Sequence, residues 1–168
     1  MQNSKRLLRF IVLAMMVTIG VVISPILRVP GFAPMQHFVN VVCSVLLGPW
    51  YSLGCALMIA FIRMTFMAIS PLAITGAVFG AFLSGILYRK FKTLISACIG
   101  EVIGTGIIGS MLSFPVMKFL VGNDTVSLFF YTPSFVIATI GGSALAYLLL
   151  KTLTLNGTLE KMQESLND

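Results

Sequence analysis

Apolar residues come in long blocks along this chain, separated by short stretches of polar residues, prolines and glycines. The first block runs from residue 8 to 27 and gives way to "RVPGFAPMQ", whose prolines and glycine disfavour a continuous helix. The second, 37–47, ends at "GPW"; the third, 51–68, ends at "ISP"; the fourth, 72–88, stops at "RKFK". The fifth covers 94–112, with Pro115 bending or ending it and an irregular segment following through "GNDT". The sixth covers 132–150, and a polar tail, "LNGTLEKMQESLND", closes the chain. Blocks of this length without strand-like alternation predict helices. Several are short for a bilayer of about 30 Å, which suits a compact bundle of tilted or partly re-entrant helices.

Composition turns that pattern into a class. The chain has 168 residues, 58% of them hydrophobic and only 10% charged, with a mean hydropathy of +1.02. A soluble domain carries about 25% charged residues. The expected fold is therefore all-α: an integral membrane bundle of six transmembrane helices, one domain over residues 1–168 with a short tail from about residue 152. The first block follows Lys5, Arg6 and Arg9 without a small-residue cleavage site, so it reads as a retained helix.

The net charge of +6 is explained by topology rather than by nucleic acid. With six spans, Lys5, Arg6, Arg9, Arg89, Lys90, Lys92, Lys151 and Lys161 all fall on one side. Arg28 and Lys118 fall on the other, and Arg63 lies within the third span. The excess of cations predicts that both termini are cytoplasmic. The three cysteines, Cys43, Cys55 and Cys98, lie within apolar runs and form no CxxC pair, so they read as small buried hydrophobes.

Two charges, Arg63 and Glu101, lie inside spans, where a lipid-facing position costs several kcal/mol. Both must face protein or a cavity. At about 1.5 Å per residue, Arg63 lies roughly 18–20 Å from the inner end of its span and Glu101 roughly 10 Å from the inner end of its own. Either they pair to hold two helices together, or Glu101 lines a ligand cavity. Thr105 shares its face, one turn on. Gly100 and Gly104 form a GxxxG pair that lets another helix approach closely, and Gly106 and Gly109 lie on other faces. His37, Asn40 and Ser44 make one polar stripe on the second span, beneath a loop that holds Phe32 and Gln36. Interhelical hydrogen bonding is the plain alternative for that stripe. A single histidine argues against a zinc site. Tyr131, in an aromatic outer segment, either belongs to a membrane-surface belt or stacks on a flat ring. No hydrolase, metalloprotease or ATP-binding motif occurs, so neither an enzyme nor a bound cofactor is expected.

Three stretches, "PMQHFVNVVCSVLLGPWYSLGCALMIAFIRM", "GAVFGAFLSGILYRKFK" and "GEVIGTGIIGSMLSFPVMK", resemble the ThiW family, membrane substrate-binding (S) components of energy-coupling factor (ECF) transporters. The resemblance extends from the first helix to the sixth. It implies six helices in the cell membrane, a ligand pocket near the outer face, and no ATPase of its own. It also implies as partners a membrane scaffold protein and two cytoplasmic ATPases, with hydroxyethylthiazole, a thiamine precursor, as substrate. S components carry an AxxxA pattern on helix one for docking on the scaffold; here it reads Ala14-Met-Met-Val-Thr18, with Thr for the second Ala.

The expected ligand site is Glu101, Thr105, His37, Asn40, Gln36, Arg63, Phe32 and Tyr131, and the expected scaffold face is Ala14 and Thr18. An S component for thiamine or another vitamin is the first alternative. A membrane scaffolding protein with a purely structural Arg63–Glu101 pair is the second.

Overall fold

The computed structural model describes residues 2–25 and 33–166. Five stretches are helical, long and apolar enough to cross a membrane: Asn3–Ile23, Pro49–Met67, Leu72–Phe91, Leu94–Leu120 and Thr132–Leu155. A sixth apolar helix, Pro34–Leu47, is shorter. Among the described residues there is no strand. The expected helical membrane bundle is what the chain forms.

Helix α1 (Gln2–Ile23) leads to α2 (Pro34–Leu47) and α3 (Pro49–Met67). Pro34 and Pro49 each open a helix, where the missing N–H costs nothing. One residue, Gly48, joins α2 to α3 with φ +83°, a conformation closed to residues with a side chain. The "GPW" break is thus a single-residue reversal. The fourth block, expected as one helix, divides into α4 (Leu72–Thr75) and α5 (Val78–Phe91). Gly76 closes α4, its amide bonding the Leu72 carbonyl at 2.8 Å.

The fifth span runs further than expected. It begins as α6 (Leu94–Glu101), capped by Thr93, whose hydroxyl accepts from the Ser96 amide at 3.2 Å. It widens into a π-helix, π1 (Val102–Gly109), returns to α7 (Ser110–Pro115) and ends as a second π segment, π2 (Val116–Leu120). Pro115 does not stop it. Local widening of the turn re-satisfies backbone groups around an intramembrane proline. Helix α8 (Thr132–Leu155) is the sixth span. The polar tail, expected to be an appendage, forms α9 (Thr158–Leu166) and packs back on the bundle. Leu159 and Leu166 are buried in the main core, and Gln163 Nε2 donates to the Val45 carbonyl at 2.8 Å and to the Tyr88 hydroxyl at 2.9 Å. Arg9 Nε donates to the Leu166 carbonyl, so both ends of the chain meet at one end of the bundle.

The shortest span is the most buried. Nearly all of α2 is enclosed, from Pro34 to Leu47, as for a helix packed on every side rather than on one. It contacts α1, α3, α5, α6 and α8. Any polar side chain on α2 is therefore delivered to the interior. Cys43 and Cys55 are buried and Cys98 half-buried, all as free thiols.

Candidate functional site

The polar stripe of α2 meets the fifth span at Glu101. Glu101 is fully buried. Its Oε1 accepts three hydrogen bonds: from His37 Nδ1 at 2.8 Å, Asn40 Nδ2 at 3.0 Å and Thr105 Oγ1 at 3.3 Å. Its other oxygen, Oε2, is buried and has no hydrogen-bond partner among the described residues. A buried carboxylate oxygen without a donor costs more than most hydrogen bonds return. The protein thus orients the carboxylate through one oxygen.

A relay of amides extends from this carboxylate. Asn40 Nδ2 also donates to the Ala77 carbonyl at 3.1 Å, and its Oδ1 accepts from Gln36 Nε2 at 3.2 Å. Gln36 Oε1 accepts from Arg63 Nη1 at 3.0 Å and from Ser24 Oγ at 3.2 Å. His37, Asn40, Gln36 and Arg63 are all buried. Arg63 and Glu101 therefore do not form the direct pair that was one expectation. The ionisable partner of Glu101 is His37, and Arg63 communicates with it through Gln36 and Asn40. The two charges sit at different heights, as their span positions imply, and the i, i+4 amides of α2 bridge the gap.

The glycines hold this arrangement together by packing. A methyl group on Gly100 would lie 2.6 Å from Ser84 Cα, and one on Gly104 would lie 2.6 Å from Gly80 Cα. Both therefore seat the fifth span on α5. Gly106 meets Val136 and Thr139 of α8, and Gly109 meets Thr75. These glycines seat the fifth span against neighbouring helices. Gly80 is the exception in kind. A methyl group there would press on Thr105 Oγ1 and lie 2.7 Å from the Glu101 carboxyl carbon.

Six of the expected site residues, Glu101, Thr105, His37, Asn40, Gln36 and Arg63, thus belong to one connected network. Ser44, lower on the stripe, pairs with Ser84 at 2.7 Å instead. Tyr131 is placed elsewhere. It packs with Met117, Val126 and Phe135 in a separate apolar cluster, its ring centroid 5.0 Å from that of Phe130 and 6.0 Å from that of Phe135. No hydrogen bond or ring contact among the described residues joins it to Glu101. Phe32 and Arg28 lie outside the described residues. Ala14 and Thr18 are exposed on α1, and Thr18 Oγ1 donates to the Ala14 carbonyl at 2.9 Å.

Three participants were not anticipated: Ser24, the Ala77 carbonyl and Gly80. Ser24 had a signal, a hydroxyl near the end of an apolar helix one turn after a glycine. Ala77 is presented by the break between α4 and α5, marked in the sequence only by Gly76. Gly80 acts by lacking a side chain.

Residues 10–156 match the family described as thiamine-precursor transporter protein (ThiW). No curated protein and no solved structure matches the chain.

Proposed function

Since the chain belongs to the ThiW family of thiamine-precursor transporter proteins, we propose that it is the substrate-binding (S) component of an ECF-type ABC transporter and that its substrate is hydroxyethylthiazole. It would sit in the cell membrane with both termini cytoplasmic, as the clustering of Arg9, Arg89 and Lys92 at the end of the bundle that carries both termini supports. The energy of uptake comes from a scaffold protein and two ATPases, and the chain itself carries out no catalysis.

The observation that carries the substrate reading is the unpartnered Oε2 of Glu101. A small alcohol that donates its O–H to Oε2 supplies the missing hydrogen bond and brings no net charge into the bilayer. Hydroxyethylthiazole has one such hydroxyl, one ring nitrogen that accepts, and a flat apolar ring. In this reading Glu101 takes the hydroxyl at Oε2, while Thr105, His37 and Asn40 hold the carboxylate in place through Oε1. Gln36 and Arg63 hold Asn40 in place, and the aromatic proposed to cover the ring is Phe32.

Ala14 and Thr18 are the proposed scaffold face. The Thr18 hydroxyl is turned back onto its own helix, so what the pair offers a neighbour is small and apolar. This suits close helix packing despite the departure from AxxxA.

Isothermal titration of the purified chain tests the substrate. Hydroxyethylthiazole is expected to bind at least about tenfold tighter than thiamine, a gap of about 1.4 kcal/mol. Thiamine adds a permanent positive charge to a network that already balances one acid against Arg63. Equal or tighter thiamine binding would reject the thiazole and favour a thiamine S component. Binding of neither would favour a scaffolding role.

A further inference from the structure

At the end of the bundle that carries both termini, a basin of about 630 Å³ opens between the end of α2, the start of α3, the last turn of α5 and α9. Its walls carry three cations, Arg9, Arg89 and Lys92, against one carboxylate, Glu164. None of the three cations forms an ion pair among the described residues. Arg9 is anchored by its bond to the Leu166 carbonyl, which holds its guanidinium at the basin wall. The first turn of α3 brings the Trp50 and Tyr51 amides, which have no intrahelical acceptor, to the same wall, beside the C-terminal turns of α2 and α5.

A second, smaller cavity adjoins the basin. It is a crevice of about 290 Å³ that shares Pro49, Trp50 and Arg89 with the basin, is also lined by Lys90, and continues along the apolar Phe82 and Ile86. Trp50 is 69% exposed, its ring centroid 5.1 Å from that of Phe82, an arrangement typical of the membrane–water boundary. Sidedness alone accounts for cations at this end of the bundle. It does not account for an apolar crevice that begins between them. A cationic basin running into an apolar crevice has the form of an amphiphile: charged head, apolar tail.

We propose that this paired cavity is a binding site for an anionic phospholipid of the leaflet at the termini end. The phosphate lies in the basin against Arg9, Arg89 and Lys92, and an acyl chain follows the crevice past Trp50, Phe82 and Ile86. Glu164 on the opposite wall repels a headgroup that carries further negative charge beyond its phosphate, which favours a phosphodiester such as phosphatidylglycerol. Because Gln163 and Glu164 form one wall, a bound lipid also ties α9 to α3 and α5.

The test uses the full chain, delipidated in detergent and titrated with phosphatidylglycerol or phosphatidylcholine, with bound lipid counted by native mass spectrometry. Phosphatidylglycerol is expected to bind about tenfold tighter, the scale of a few cations near an anionic headgroup. The double variant Arg89→Gln with Lys92→Gln should abolish that preference. Lys151→Gln with Lys161→Gln removes the same charge near the same end of the bundle but outside the basin, and should change it less than about twofold. Trp50→Ala leaves every cation in place and should weaken phosphatidylglycerol through the crevice alone. Equal losses in the two double variants would reduce the effect to overall charge and overturn the site. Displacement of the lipid by millimolar inorganic phosphate, with Trp50→Ala silent, would show a soluble phosphate ester as the occupant and overturn the lipid assignment.

Discussion

Three donors on Oε1 hold the Glu101 side chain in one orientation, and that determines where Oε2 is offered. Glu101→Ala should cost at least the 1.5–3 kcal/mol of a hydrogen bond to a charged group, about tenfold to more than a hundredfold in ligand affinity, while the chain still inserts. Glu101→Gln should retain part of the affinity, since its amide oxygen can take the three Oε1 donors and its N–H can donate to the oxygen of the ligand hydroxyl. Titration of both variants checks this; normal binding by an early-melting Glu101→Ala would make the residue structural. Gly80→Ala tests the same spot from the other side. An alanine gains up to about 1 kcal/mol in helix propensity. The added methyl group meets a carboxyl group that three hydrogen bonds prevent from moving, and such overpacking costs about 1–3 kcal/mol. The net expectation is a lower thermal midpoint together with weaker ligand binding; a more stable variant would mean that the carboxylate yields. Most of this network was legible in the sequence, because a charge or an amide in an apolar block has few places to go. Glu101, His37, Asn40, Gln36, Thr105 and Arg63 were all found that way. Which partner each would choose was not legible. Arg63 reaches Gln36 rather than Glu101 because the relative height of two helices is a tertiary property. Tyr131 could not be separated from a surface aromatic, since both readings need the same residue in the same segment.

At the level of elements, punctuation by glycine and proline was read well where it interrupts and poorly where it is accommodated. Gly48-Pro49 does end one helix and start the next, because a positive φ and a missing N–H both act locally. Pro115 follows the same local rule yet the span continues to Leu120, since a widened turn absorbs it. Glu101 stands where α6 passes into π1, and the Ser110 amide reaches back five residues to the Thr105 carbonyl. The carboxylate and its neighbour Thr105 thus lie on a stretch whose geometry departs from an ordinary helix, as is frequent at functional sites. Helix α9 was missed because its apolar residues are few; Leu159 and Leu166 suffice when the bundle end is there to receive them. On α1, Ala14→Trp should abolish uptake in cells while leaving ligand binding by the isolated chain unchanged, as transport and titration assays would show. Loss of both would mean that the residue supports the fold and not an interface.

For the whole molecule, the membrane class followed from composition and the number of spans from block lengths, both of which survive any error in pairing. Six crossings return the chain to the side where it began, and the contact of Arg9 with Leu166 agrees. A cysteine introduced beside Lys90 should therefore react with an impermeant thiol reagent only from the cytoplasm; labelling from outside would reverse the topology. The brevity of α2 carries a further consequence, an electrical one. Its 14 residues rise only about 21 Å, against a hydrocarbon core of about 30 Å. Its polar residues near Pro34 and the carboxylate they meet thus stand near the middle of the transmembrane field rather than at its edge. A monovalent cation arriving there from the side opposite the termini would cross about half of a potential worth about 2.3 kcal/mol per 100 mV. Its occupancy would rise and fall with the energy state of the cell. The proposed substrate, a neutral thiazole, would cross the same distance without doing electrical work, so the proposed site would capture it equally well in a charged or a depolarised membrane.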